Sequence, residues 1–161
     1  MHDPTLVGIH HVKFPVSDLA RSRAWYERVF ELRPVLEFRD EHDGAVRGVA
    51  YEVPGLPEVG VALRENPAAA RGIAGFDPVS FAIADRDAAQ AWADRLDEFG
   101  IPHSPVLDAT VGWVLIFHDP DGTEIHLYSM ERHGVDPTGR PHAGQPVKVD
   151  TGPYPSADTG Q

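Results

Sequence analysis

The chain contains no cysteine among its 161 residues. That absence removes disulfides, thiolate metal ligands and thiol nucleophiles together. Lysine is almost missing as well, with Lys13 and Lys148 the only two. Bases are in deficit generally: 25 acids stand against 14 bases, for a formal net charge of −11. This balance disfavours nucleic acid and anionic membrane as partners, allows a cationic ligand, and leaves a small molecule as the expected partner. No apolar run approaches the length needed to span a membrane, and the opening MHDPTLVG has no signal-peptide pattern, so a cytoplasmic protein is expected. P-loop, GxSxG, GxGxxG and HExxH motifs are all absent, which removes the commonest nucleotide, hydrolase and zinc-protease chemistries. A chain of this length can bury a real core, as one domain or as two small halves sharing a sheet.

What is present is organised around Ile9 to Leu32, reading IHHVKFPVSDLARSRAWYERVFEL. Val12, Phe14 and Val16 alternate with His11, Lys13 and Pro15, as in a half-buried strand. The period then changes: Leu19, Ser22, Trp25/Tyr26 and Val29 recur at helical spacing, with Ser17 or Asp18 placed as cap. The same unit returns 67 residues later without a gap, where Val12, Phe14, Asp18, Trp25, Arg28 and Glu31 meet Val79, Phe81, Asp85, Trp92, Arg95 and Glu98. Both the apolar faces and the cap repeat, as two copies of one supersecondary unit require. The match breaks where His11 meets Pro78.

In chain order, Arg33-Pro34 ends the first helix, and strands are predicted to about Arg39, over Val46 to Val53, and from Val59 to Leu63. Glu65 to Asp77, rich in Pro, Ala and Gly, reads as a linker. The second half repeats the order: strand Val79 to Ile83, helix Asp87 to Phe99 with Gly100 as C-cap, and a strand His103 to Leu107 interrupted by Pro105. Val111 to His118 is the next strand, and Asp119-Pro120-Asp121-Gly122 fits a type I turn before a last strand, Glu124 to Tyr128. Trp25 and Trp92 are expected in the core, and His10 and His118 read as packing residues. The divisions are therefore a first βαβββ half over 1–66, a linker over 67–77, a second half over 78–130 and an arm over 131–161. That arm holds five Gly and five Pro in 31 residues and cannot form its own core.

HHVKFPVSDLARSRAWYERVF, the duplicated βαβββ order and FHDPDGTEIHLY together resemble the vicinal oxygen chelate superfamily of glyoxalases, bleomycin-resistance proteins and extradiol dioxygenases. The resemblance covers roughly residues 6 to 130. It implies an α+β fold in which two βαβββ repeats form a half-open, eight-stranded, barrel-like sheet around a cavity, with helices outside. Enzyme members hold a divalent metal there. Carried over by position, His11 stands where one ligand is expected, but Pro78 and Ala62 stand at two others and cannot ligate through their side chains. His126 replaces the glutamate usual in the last strand.

His11 and Lys13 share one strand face, and Glu124, His126 and Tyr128 share another, so both faces opposite the helices are polar and titratable. His11 and His126 are the expected metal ligands, with Glu124, His118 or Asp77 available as a third. Fe, Zn, Ni or Mn would suit such a set. Alternation along the strand puts Asp77 on the side opposite Pro78. Two functions follow: a metal-dependent enzyme of the glyoxalase or dioxygenase type, with Glu124 or Lys13 as acid/base, or a metal-free protein that sequesters a small cationic or aromatic ligand. The sequence alone favours the enzyme. Each half leaves a sheet edge needing a partner, so a homodimer is expected, with the 131–161 arm laid over its neighbour or its own domain.

Overall fold

The computed structural model describes residues 4–109 and 111–134. The chain divides into two compact units, Met1–Gly72 and Ile73–Gln161. The first contains β1 (His11–Val16), α1 (Leu19–Phe30), β2 (Arg33–Arg39), β3 (Val46–Val53) and β4 (Leu56–Glu65), followed by α2 (Pro67–Ile73) at its boundary. The second contains β5 (Ser80–Ile83), α3 (Arg86–Glu98), β6 (Leu107–Asp108), β7 (Trp113–His118) and β8 (Glu124–Ser129).

The strand orders are the same in both: β1-β4-β3-β2 and β5-β8-β7-β6. In each unit the first and last strands pair parallel and the others pair antiparallel. The fold is therefore α+β, built from two βαβββ modules whose four-stranded mixed sheets stay open.

The repeat has a physical cause at each helix start. Asp18 lies in extended backbone and its carboxylate accepts from the Arg21 N–H at 2.9 Å. Asp85 does the same for the Ala88 N–H at 2.8 Å. Each satisfies one of the donors that a helix start leaves without an intrahelical partner. The ends differ. α1 stops at Glu31 in the left-handed region, φ 53°, whereas α3 closes in a Schellman motif at Gly100, φ 66°. There the Gly100 N–H donates to Asp97 O at 2.9 Å and the Ile101 N–H to Leu96 O at 2.9 Å.

Each helix covers one face of its own unit's sheet. In the first unit Phe14, Val16, Val29, Val49 and Leu63 are fully buried with Tyr26; in the second, Leu96, Leu115, Phe117, Ile125 and Leu127 are. Burying each such side chain stabilises by about 1.5–3 kcal/mol. The opposite faces are left for other work: His11 and Lys13 are exposed on β1, and Glu124, His126 and Tyr128 are half-buried on β8.

Several expectations change. The segment read as a linker includes α2, capped by Asn66, whose side chain accepts from the Ala69 N–H at 3.0 Å. Its Pro at the first helical position and its three alanines suit a helix start better than a linker. Trp25 and Trp92 are half-buried rather than core. Tyr26 takes the inner place on α1, and Trp25 lies edge-on to it at 4.9 Å between ring centroids. The second strand of the second half shrinks to two residues, with only an isolated bridge from His103 to Phe117 before it, because Pro105 supplies no ladder donor. The arm from 135 onward, with its expected packing role, lies outside the described residues.

Candidate functional site

β8 is a central strand, paired on one side with β5 and on the other with β7, so its backbone is fixed from both edges. The turn before it sets the register. The Gly122 N–H donates to Asp119 O at 3.0 Å, and the buried Asp119 carboxylate accepts from the N–H groups of Asp121 and Thr123 at 2.9 Å each. That hairpin pairs His118 with Glu124 and Ile116 with His126. Paired residues share a face, so β7 brings a second histidine to the carboxylate of Glu124.

The resulting cluster is compact. His126 Nε2 lies 2.6 Å from Glu124 Oε1, and His118 Nε2 lies 3.5 Å from Glu124 Oε2. Asp77 Oδ2 stands 3.4 Å from His126 Nδ1. Glu124 thus joins two imidazoles, and His126 has a carboxylate at each ring nitrogen.

Asp77 overturns the strand-alternation expectation. β5 begins only at Ser80, so Asp77 and Pro78 lie ahead of the strand and alternation does not govern them. This segment is held to β8 by backbone bonds instead, Gly75 N–H to Gly122 O at 2.8 Å and Glu124 N–H to Phe76 O at 3.0 Å. From there the Asp77 side chain reaches the face that carries His126.

The first unit holds the other two candidates. His11 and Lys13 lie on the helix-free face of β1, beside Gly60 and Ala62 of β4. His11 Nδ1 is 3.0 Å from His10 Nδ1. His10, expected as a packing residue, is itself exposed. Sequence reading misses Arg64, Leu36 and Phe38 on this same face. A signal for the first exists: Gly60, Ala62 and Arg64 alternate with Val59, Val61 and Leu63, which places Arg64 away from the helix.

The donor set does not suit the family metal. Two of the four positions carried over from the resemblance are Pro78 and Ala62. The ring nitrogens of His126 face carboxylates, Nε2 at 2.6 Å from Glu124 Oε1 and Nδ1 at 3.4 Å from Asp77 Oδ2. Among the described residues, no group of three or more His, Asp or Glu side chains could hold a metal ion. Among them, too, no helix is long and apolar enough to cross a membrane.

Comparison with known proteins agrees with the fold. No curated protein sequence matches the chain significantly. Among solved structures, TnmS3, an antibiotic-binding protein from Streptomyces sp. CB03234, is similar at 20% identity and TM-score 0.64, over 79% of this chain and 98% of that one. Lactoylglutathione lyase from Agrobacterium tumefaciens is similar at 18% identity and TM-score 0.63, over 79% and 96%. A variant of the fosfomycin resistance protein FosX from Listeria monocytogenes, solved with Mn(II) and a dihydroxypropylphosphonic acid, is similar at 15% identity and TM-score 0.60, over 77% and 93%. The superfamily therefore spans metalloenzymes and antibiotic-binding proteins. Residues 8–127 match the family profile, and the chain belongs to the Glyoxalase/Bleomycin resistance protein/Dioxygenase superfamily.

Proposed function

We propose that this chain binds a small molecule on a helix-free sheet face without a metal, and sequesters it rather than transforming it. The observation that carries the reading is the state of His126. It is the one residue with a possible donor in the second module's share of the metal positions, and its ring nitrogens face Glu124 at 2.6 Å and Asp77 at 3.4 Å. Pro78 and Ala62 supply nothing in compensation. Sequence alone favours the metal enzyme; this arrangement reverses the preference. An antibiotic-binding protein among the similar structures is consistent with it.

One observation favours a second reading. A carboxylate held 2.6 Å from an imidazole is a workable general base, so Glu124 with His126 could move a proton on a bound substrate. A thermal-shift screen of small molecules, followed by calorimetry with and without EDTA and recovery of the bound compound, separates the two. Sequestration predicts unchanged affinity in EDTA and an unaltered compound. Conversion of the compound, lost in Glu124→Gln, supports the enzyme; binding that collapses in EDTA defeats both.

A further inference from the structure

We propose that the ligand is a planar molecule carrying negative charge, lying on the helix-free face of the first unit's sheet and held by Lys13 and Arg64. The inference rests on the small-molecule-binding reading and names the class of ligand it takes.

The register of the four strands defines two rows across that face. One runs Lys13, Ala62, Ala50, Leu36; the next runs Pro15, Arg64, Gly48, Phe38. The middle of the first row is two alanines, and in the second row Gly48 lies beside Arg64. At one side Leu36 and Phe38 remain 55% and 44% exposed. The floor is tight at one point: a Cβ on Gly48 would meet Leu63 O at 3.0 Å, with Arg64 Cδ and Phe38 Cδ2 each at 3.5 Å. The stem of Arg64 and the ring of Phe38 therefore bracket Gly48. They also line a groove of about 310 Å³ whose other walls are Arg39, Asp40, Arg47, Glu65 and Pro67, at the end of the sheet away from Lys13. A small-residue floor beside an exposed aromatic and an exposed Leu suits a flat apolar body.

Charge decides what that body carries. The neighbouring arginines of the unit are neutralised by acids: Arg23 by Glu27 and Glu37, Arg39 by Glu37, and Arg47 by Asp43 and Glu65. The side chains of Lys13 and Arg64 have no hydrogen bond or ion pair among the described residues. In a chain of net charge −11, acids are not in short supply. Two exposed cations without acidic partners on one face contribute nothing evident to folding. They sit on adjacent strands two residues apart in register, roughly 8 Å between Cα atoms from standard strand spacings. Both side chains are long enough to meet on one carboxylate, sulfonate or phosphonate, Arg as a planar fork and Lys as a point charge.

Calorimetry with 2-naphthoate and its neutral isostere 2-naphthamide tests this on the full chain. The anion is expected to bind at least about tenfold more tightly than the amide. Arg64→Gln and Lys13→Met should each weaken 2-naphthoate by about tenfold and leave 2-naphthamide unchanged. Arg71→Gln, which removes an exposed cation on α2, should alter neither. Equal affinity for the two probes, or a preference that survives both substitutions, overturns the charge assignment while the binding reading stands. Binding of neither probe to the wild-type chain overturns both.

Discussion

His126 Nε2 lies 2.6 Å from Glu124 Oε1, and the other oxygen of that carboxylate lies 3.5 Å from His118 Nε2. One carboxylate thus holds two imidazoles on one face of the β7–β8 hairpin. Asp77 Oδ2 stands 3.4 Å from the other nitrogen of His126, so both ring nitrogens of that residue face carboxylates.

Restoring a donor tests that reading of the second module. The register pairs Ser80 with His126, and Pro78 stands two residues ahead of Ser80, next to Asp77, whose side chain reaches His126. Pro78→His should tighten zinc or nickel binding by about tenfold or more, since it adds a neutral nitrogen beside existing donors. A further His126→Ala should abolish the gain. Titration calorimetry on the three proteins checks it, and a gain that survives His126→Ala would place the new site elsewhere.

The helix caps should be equivalent. Asp18 and Asp85 accept from N–H groups three residues on, at 2.9 and 2.8 Å. Asp18→Ala and Asp85→Ala should each cost about 1 kcal/mol in urea unfolding. A loss confined to one of them would mean that the repeated aspartate does not have a repeated role.

The repeat that makes these caps predictable also explains how far the fold is legible in the sequence. Identical spacing of cap and apolar positions specifies strand and helix twice over, so α1 and α3 are legible from the order of residues alone. α2 is not, because Ala and Pro carry no amphipathic pattern over so few residues. Polar alternation on β8 shows which side chains share a face. That His118 reaches Glu124 depends on the centre of the hairpin, which the Asp119–Gly122 turn encodes once it is counted through. Asp77 and Arg64 are hidden for different reasons. The first lies outside a strand where alternation fails, and the second counts only when its lack of an acidic partner is known.

Tyr51 should control part of the alkaline limb. Its phenol is buried and donates to Glu27 Oε1 at 3.0 Å, and burial first, then that bond, raise its pKa above the ordinary value near 10. The unfolded chain therefore loses this proton first, so the group's contribution is full below about pH 10 and falls as pH rises toward the folded value. Tyr51→Phe should cost about 1 kcal/mol at pH 7 and flatten the stability decline above pH 10, measured by denaturant unfolding across pH. An unchanged slope would mean that Tyr51 ionises as freely in the folded chain as in the unfolded one.

Two glycines should respond oppositely to alanine. A Cβ at Gly112 would meet Ser129 Oγ at 2.6 Å and Glu131 O at 2.8 Å, contacts that the Trp113 N–H bond to Ser129 Oγ at 2.9 Å holds in place. Gly112→Ala should destabilise by about 1–3 kcal/mol. Gly72, in α2 with nothing within 4 Å, should gain about 0.5 kcal/mol on the same change. Thermal unfolding of the pair checks both signs.

Dialysis of tag-free protein against manganese, zinc and nickel, followed by elemental analysis of wild type and His126→Ala, decides between a metal-independent binder and a metalloenzyme. Retained metal far below one ion per chain, with no difference between the two proteins, is the expected result. One tightly held ion per wild-type chain, lost in His126→Ala, would contradict it.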